Sequence, residues 1–140
     1  MKSVENDIIR IINWYRSLPA DYIDINKLMF ERKNLSTYGV IFATEVARCR
    51  KKWKENDLKY EVKKNQLRIE YSTKYGTTKA DWIARGNCEQ QLIDVIDAES
   101  EFYAKNYLFK AYRDVLLDMN QRIAHIRDEY KQNMFYGREG

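Results

Sequence analysis

Apolar side chains recur at helical spacing over a long central stretch of this sequence, and this regularity is its strongest constraint on the fold. The spacings are mostly three, four or seven residues, the period of one face of an α-helix. The series consists of Leu28, Leu35, Phe42, Val46, Cys49, Trp53, Tyr60 and Leu67. With one proline and five glycines among 140 residues, the chain offers few positions for hairpin turns. We therefore expect an all-α protein whose central helix covers residues 24–71.

Further helices are expected on both sides of the central one, within a single domain over residues 1–140. A first helix over residues 1–18 should end at Pro19, because proline cannot continue a helix. Asp24 is a candidate cap for the central helix. Gly39 is a position at which that helix could bend or break. After it, a turn and an acidic helix are expected over residues 72–99, and a last helix over residues 100–134. Arg85-Gly86-Asn87 is a break or helix-end signal within the first of these segments.

The last helix carries a seven-residue apolar repeat of the kind that forms coiled coils. Its positions are Phe102, Phe109, Tyr112, Leu116, Met119, Ile123 and Ile126. Leu108 and Val115 widen the apolar stripe, which favours burial against several neighbours. The expected architecture is an elongated helical bundle with a long basic helix and a C-terminal, coiled-coil-like oligomerisation helix. The same repeat also occurs within monomeric bundles, and the sequence leaves both alternatives open.

Positive charge is concentrated between Arg48 and Lys79. This stretch holds 11 lysines and arginines against four acids, a net charge of +7, whereas the whole chain carries only +4. A local excess of this kind indicates a binding site for polyanions. Residues 80–103 carry a net charge of −5, so an alternative is that the two segments pair with each other. Helical geometry, however, displays cations on both sides of the apolar stripe, more than one acidic neighbour neutralises.

The end of the basic stretch combines tyrosines with cations, the ingredients for binding unpaired bases. Aromatic rings stack on bases, and lysine and arginine contact phosphates. Gly76 permits a close approach of the backbone. The candidate DNA-binding residues are Lys59, Lys63, Lys64, Arg68, Tyr71, Lys74, Tyr75 and Lys79. No motif for reading duplex DNA accompanies them.

Other classes of function lack their sequence signals. Cys49, Cys88 and His125 do not form a metal-binding or redox motif, so no metal or cofactor is expected. The chain has no phosphate-binding glycine loop and no nucleophile motif, so we do not expect an enzyme. No apolar run reaches the length of a membrane span and the first residues do not form a secretion signal, so a cytoplasmic protein without membrane contact is expected.

Two short segments give the chain a resemblance to a known family. Residues 22–28 read Tyr-Ile-Asp-Ile-Asn-Lys-Leu, and residues 67–76 read Leu-Arg-Ile-Glu-Tyr-Ser-Thr-Lys-Tyr-Gly. Their order and spacing, followed by Ala-His-Ile at residues 124–126, resemble the UvsY family of phage recombination mediators. The resemblance covers about residues 22–130.

The resemblance implies a protein that binds single-stranded DNA without strong sequence preference. It would help to load a RecA-like recombinase onto strands coated by a single-strand-binding protein, in the cytoplasm of the host cell. It would also form a ring-like homo-oligomer, a heptamer where known in the family. Arg68 corresponds to the arginine of the family's Lys-x-Arg pair, while Gln66 stands in place of the lysine, with Lys63 or Lys64 as its substitute.

The sequence is also compatible with two other functions. A small phage-encoded helical protein could use the same charged helices to bind and inhibit a host protein, without general affinity for DNA. A purely structural oligomer would bind neither.

Overall fold

The computed structural model describes residues 2–139, and the side chains of residues 2–134. The described residues form helices and no strands, so the prediction of an all-α fold is confirmed. The helices are α1 (Lys2–Arg16), α2 (Ile25–Tyr75), α3 (Thr77–Gly86) and α4 (Glu89–Glu139). None of the described helices combines the length and apolarity needed to cross a bilayer.

Helix boundaries follow local chemistry. Helix α1 ends shortly before Pro19. The Asp24 carboxylate accepts a hydrogen bond from the backbone N–H of Lys27 at 3.1 Å, which confirms it as the cap of α2. Helix α2 runs through Gly39 without a break. The boundary expected near residue 99 lies inside α4. The break signal at Arg85-Gly86-Asn87 is confirmed, since α3 ends at Gly86 and α4 begins at Glu89.

The chain divides into two compact units, each with its own buried side chains. Unit 1 comprises the residues up to Glu45 and those from Tyr107 onward. Its core combines α1, the first part of α2 and the second part of α4. The buried apolar residues are Ile8, Ile11, Ile12, Tyr15, Leu28, Leu35, Phe42, Tyr112, Val115, Met119 and Ile123.

This burial corrects part of the predicted oligomerisation surface. Tyr112, Met119 and Ile123 are 7%, 0% and 1% exposed within the chain itself. They therefore belong to the core of unit 1 and are not available to a second copy, because α1 and α2 already cover this side of α4. Phe109, Leu116 and Ile126 are half-buried, and the Phe109 ring lies 6.4 Å from that of Phe42.

Helices α2 and α4 approach each other closely at Gly39. A Cβ atom at this position would lie 2.0 Å from Cζ of Tyr112, far inside van der Waals contact. The glycine is buried. The absence of a side chain at residue 39 therefore makes room for the Tyr112 ring, which explains a glycine in the interior of a long helix.

Unit 2 covers Val46–Asn106 and is built around smaller side chains. Its buried apolar residues are Val46, Cys49, Ala80, Ala84, Cys88, Val95 and Ala98. The half-buried Trp53 stacks on Phe102, another of the predicted oligomerisation residues, with ring centroids 5.4 Å apart. Large apolar side chains of this unit, by contrast, lie at its surface.

Candidate nucleic-acid surface on unit 2

The second part of α2 turns a half-buried stripe inward and carries a row of cations on each side of it. Tyr60, Leu67 and Tyr71 belong to the stripe. At 100° per residue, Arg48, Lys52, Lys59 and Lys63 form the first row, and Arg50, Lys54, Lys64 and Arg68 form the second row. The sequence-predicted cations are thus divided between two sides of one helix.

Part of the first row is neutralised by α4. The Glu101 carboxylate lies 3.7 Å from an Arg48 guanidinium nitrogen and 3.8 Å from the Lys52 ammonium. Among the described side chains, Glu101 is the one acid of residues 80–103 that pairs with cations of α2. The expected pairing of the basic and acidic segments therefore occurs at this end of the first row only.

Lys64 of the second row has a local partner. Its ammonium lies 3.0 Å from the Glu61 carboxylate and 5.1 Å from the Tyr60 ring centroid. Its side chain is only 18% exposed. Lys64 is consequently a weaker candidate for phosphate contact than Arg68, which lies one turn further along the same row.

Five of the predicted DNA-binding cations have no acidic partner among the described side chains. Lys59, Lys63, Arg68, Lys74 and Lys79 form no ion pair with any side chain that the structure describes. All but the half-buried Lys63 are exposed. Exposed cations without acidic neighbours attract phosphates at little desolvation cost.

The two predicted tyrosines differ in their access to solvent. The Tyr71 and Tyr75 rings lie 6.3 Å apart, but Tyr71 is half-buried while Tyr75 is exposed. The ammonium groups of Lys74 and Lys79 lie 5.3 Å and 4.9 Å from the Tyr75 ring centroid. Tyr75 is therefore the ring that can stack on a base, with two cations beside it for the adjoining phosphates.

Trp82 extends this aromatic and cationic cluster, although the sequence analysis did not assign it to the site. The side chain is 77% exposed and lines a cleft of about 510 Å³ together with Lys79. Its position three residues after Lys79 puts both on the same face of α3. The three-residue spacing between Lys79 and Trp82 was the one sequence signal that could have placed Trp82 in the site. A tryptophan at helical spacing is, however, equally typical of a buried core residue.

An apolar stripe on the outer face of α2 was also missed. Leu58, Val62 and Ile69 are 64%, 47% and 66% exposed. Their spacings of four and seven residues define a second apolar face, opposite the stripe that the sequence analysis followed. On α4 of the same unit, Ile96 and Tyr103 are likewise 51% and 54% exposed. Exposed apolar side chains that share one face of a helix are candidates for contact with another protein.

The fold and this surface together define an all-α protein with an exposed cationic and aromatic cluster at one helix junction. Comparisons with protein-family models, with curated proteins and with solved structures found no match to this chain.

Proposed function

We propose that this protein is a single-stranded DNA-binding recombination mediator of the UvsY kind. It would help to load a RecA-like recombinase onto strands coated by a single-strand-binding protein, in phage homologous recombination and repair. The observation that carries the proposal is the exposed Tyr75 ring with the ammonium groups of Lys74 and Lys79 over it. Arg68 lies about two helical turns earlier on α2, and none of these three cations has an acidic partner among the described side chains.

The cluster suits an unpaired strand because it offers stacking and charge side by side. A base stacked on Tyr75 contributes about 1–3 kcal/mol, and each cation that neutralises a phosphate releases counterions. Neither contact depends on base identity. The expected result is modest, salt-sensitive and sequence-tolerant binding by each protomer.

Self-association would multiply these modest contacts, as the resemblance to ring-forming mediators implies. The exposed stripe of Leu58, Val62 and Ile69 supports this part of the proposal, because its burial against another copy removes apolar surface from water. In a ring-like homo-oligomer, such as a heptamer, one strand contacts several protomers, and avidity replaces a deep binding pocket. A strand held in this way is less accessible to the coating protein and more accessible to the recombinase.

The DNA-binding step is tested by removing equal charge from two places on α2. The test variant is Lys63→Gln/Arg68→Gln, and the matched control is Lys51→Gln/Lys52→Gln, whose lysines already pair with Glu55 and Glu101. Fluorescence anisotropy of a labelled mixed-sequence single strand is measured at several salt concentrations, beside a duplex of equal length. The test variant should bind the single strand about tenfold more weakly, with a salt slope reduced by about 0.7 for each lost phosphate contact. The control should change little.

Absence of single-strand binding by the wild type at low salt would reject the proposal, as would equal losses in the two variants. Circular dichroism of both variants shows whether the helices are retained. Recombinase loading is then measured separately, as filament formation on strands previously coated with single-strand-binding protein, with and without this protein.

A second candidate function is capture of a host protein. The exposed Trp82 and the outer stripe of α2 favour it, since exposed tryptophan and aliphatic side chains are typical anchors of protein interfaces. Such a protein would show no general affinity for single strands, and its binding would depend on one partner's surface. The anisotropy titration separates the two functions directly.

A further inference from the structure

Unit 1 contains a cleft that no part of the proposed DNA binding uses. It lies between the first part of α2 and the second part of α4, has a volume of about 610 Å³, and is lined by Met29, Arg32, Lys33 and Leu116 among others. A second cleft of about 320 Å³ shares Leu116 and Asn120 with it and adds Arg113 and Leu117. The two clefts therefore meet at these α4 side chains, and we refer to them together as the groove.

The groove combines an apolar lining with accessible apolar edges. Leu116 is half-buried within it, while Phe30 and Leu117 are 58% and 59% exposed at its sides. The helices are antiparallel here, since Arg32 contacts Asn120 and, further along, Gly39 faces Tyr112. Between Met29 and Thr37 the groove extends about two helical turns. A short amphipathic helix of another protein can place apolar side chains in such a groove.

The charged side chains that line the groove are all cations. Arg32, Lys33 and Arg113 line it, and none of the lining residues is an acid. None of the three forms an ion pair with any side chain that the structure describes, and Arg32 donates to the neutral Asn120 amide at 3.2 Å. The groove is thus a cationic site whose charge no described acidic side chain neutralises.

We propose that this groove binds an acidic amphipathic helix of a partner protein. The leucine or phenylalanine side chains of such a helix pack on Leu116, Leu117 and Phe30, and its aspartate and glutamate side chains pair with Arg32, Lys33 and Arg113. The lining favours a peptide over nucleic acid because Phe30 is its one exposed aromatic side chain, whereas strands bind best along successive aromatic platforms. The inference goes beyond the proposed DNA binding and stands without it.

The experiment uses the full chain and a labelled peptide of about four helical turns, with leucine and phenylalanine at three- and four-residue spacing and glutamate elsewhere. A peptide of the same composition in scrambled order is the control. The charge variant is Lys33→Gln/Arg113→Gln, both at exposed positions, and the apolar variant is Leu117→Asn. Each variant should bind the ordered peptide about tenfold more weakly than the wild type, because the contacts that it removes contribute about a factor of ten to the affinity.

Single-strand binding, measured with the same proteins, separates this inference from the proposed function. The groove variants should keep the wild-type affinity for the single strand, and Lys63→Gln/Arg68→Gln should keep the wild-type affinity for the peptide. Equal binding of the ordered and scrambled peptides would overturn the inference. Competition between peptide and single strand, together with loss of strand binding in the groove variants, would assign the groove to nucleic acid instead. A lower sedimentation mass of Leu117→Asn would assign it to a second copy of this chain.

Discussion

Tyr15 links α1 to α4 inside unit 1 through a hydrogen bond that its hydroxyl donates to the Asp118 carboxylate. Burial raises the pKa of Tyr15 to about 12, with further contributions from the hydrogen bond to Asp118 and from its negative charge, partly offset by Arg122. Since the ordinary pKa is 10.0, folding favours the neutral phenol. The residue therefore makes stability depend on pH in the alkaline range.

We predict that the Tyr15 contribution to stability is fully present below pH 10 and is lost as the pH rises through 12. The check is the free energy of unfolding in urea for wild type and Tyr15→Phe between these pH values. Lysine deprotonation affects both proteins, so the difference between them isolates Tyr15. That difference should shrink with rising pH, and a constant difference would contradict the assignment.

Gly39 is a second position at which a single substitution should change stability. Alanine favours a helix over glycine by about 1 kcal/mol. Here, however, its Cβ would overlap the buried Tyr112 ring, whose movement disturbs the core and costs about 1–3 kcal/mol. Gly39→Ala should therefore lower the free energy of unfolding despite its better helix propensity. Gly86→Ala is the matched control, because its Cβ meets no atom within 4 Å and it should be neutral or stabilising.

At the scale of elements, the sequence predicts those helix ends that are set by a single residue, such as a proline or a capping side chain. Pro19 and Asp24 mark the end of α1 and the start of α2, since one lacks the N–H that a helix needs and the other supplies a cap. The end of α2 was expected at residue 71, but the helix continues to Tyr75, where Gly76 follows at a φ of 79°. The boundary expected near residue 99 lies inside α4, because residues 95–103 contain no proline or glycine that would end a helix.

The candidate site shows what periodicity leaves undetermined. Spacing gives the side of α2 on which a residue lies, and so places Lys64 and Arg68 in one row. It does not reveal that Lys64 turns back to Glu61, nor that Tyr71 packs while Tyr75 remains exposed. Glu61 lies three residues before Lys64, so the sequence allowed this pair but did not show which rotamer Lys64 adopts. The different exposure of Tyr71 and Tyr75 depends on packing, for which a single sequence carries no signal.

The junction of α2 and α3 depends on the backbone conformation of Gly76. Its φ of 79° and ψ of 166° lie in a region that other residues avoid. Nothing lies within 4 Å of a Cβ at this position, so Gly76→Ala tests backbone strain alone, at a cost of about 1–3 kcal/mol. Urea unfolding measures that cost. Because Tyr75 and Lys79 flank the junction, the variant should also bind single strands more weakly. Unchanged affinity would show that the geometry of this turn does not contribute to DNA binding.

At the scale of the whole molecule, the two units differ in how they bury apolar surface. Unit 1 encloses isoleucines, leucines and a phenylalanine, whereas several of the buried residues of unit 2 are alanines and cysteines. Larger side chains of unit 2, such as Ile69 and Trp82, remain in water. Since stabilisation scales with buried apolar area, the core of unit 2 contributes less to stability than the core of unit 1.

Hydrogen exchange measures this difference. The amides of α3 should exchange at least about tenfold faster than those of α4 around Met119, because local opening costs less where little apolar surface is buried. A saturating single strand should then slow exchange in α3 and leave α1 unchanged. Equal rates in the two units, or protection confined to α1, would contradict this view of unit 2.

The three tryptophans occupy three different surroundings, which gives the unlabelled chain an optical readout. Trp14 meets Tyr22 edge to face at 6.1 Å, Trp53 stacks on Phe102 with the Lys54 ammonium 3.9 Å from its ring centroid, and Trp82 stands in solvent. Indoles in water emit at longer wavelengths than packed ones, and a soluble quencher reaches them first. The long-wavelength, quencher-accessible part of the emission therefore belongs mainly to Trp82, so intrinsic fluorescence follows events at the aromatic and cationic cluster without a dye.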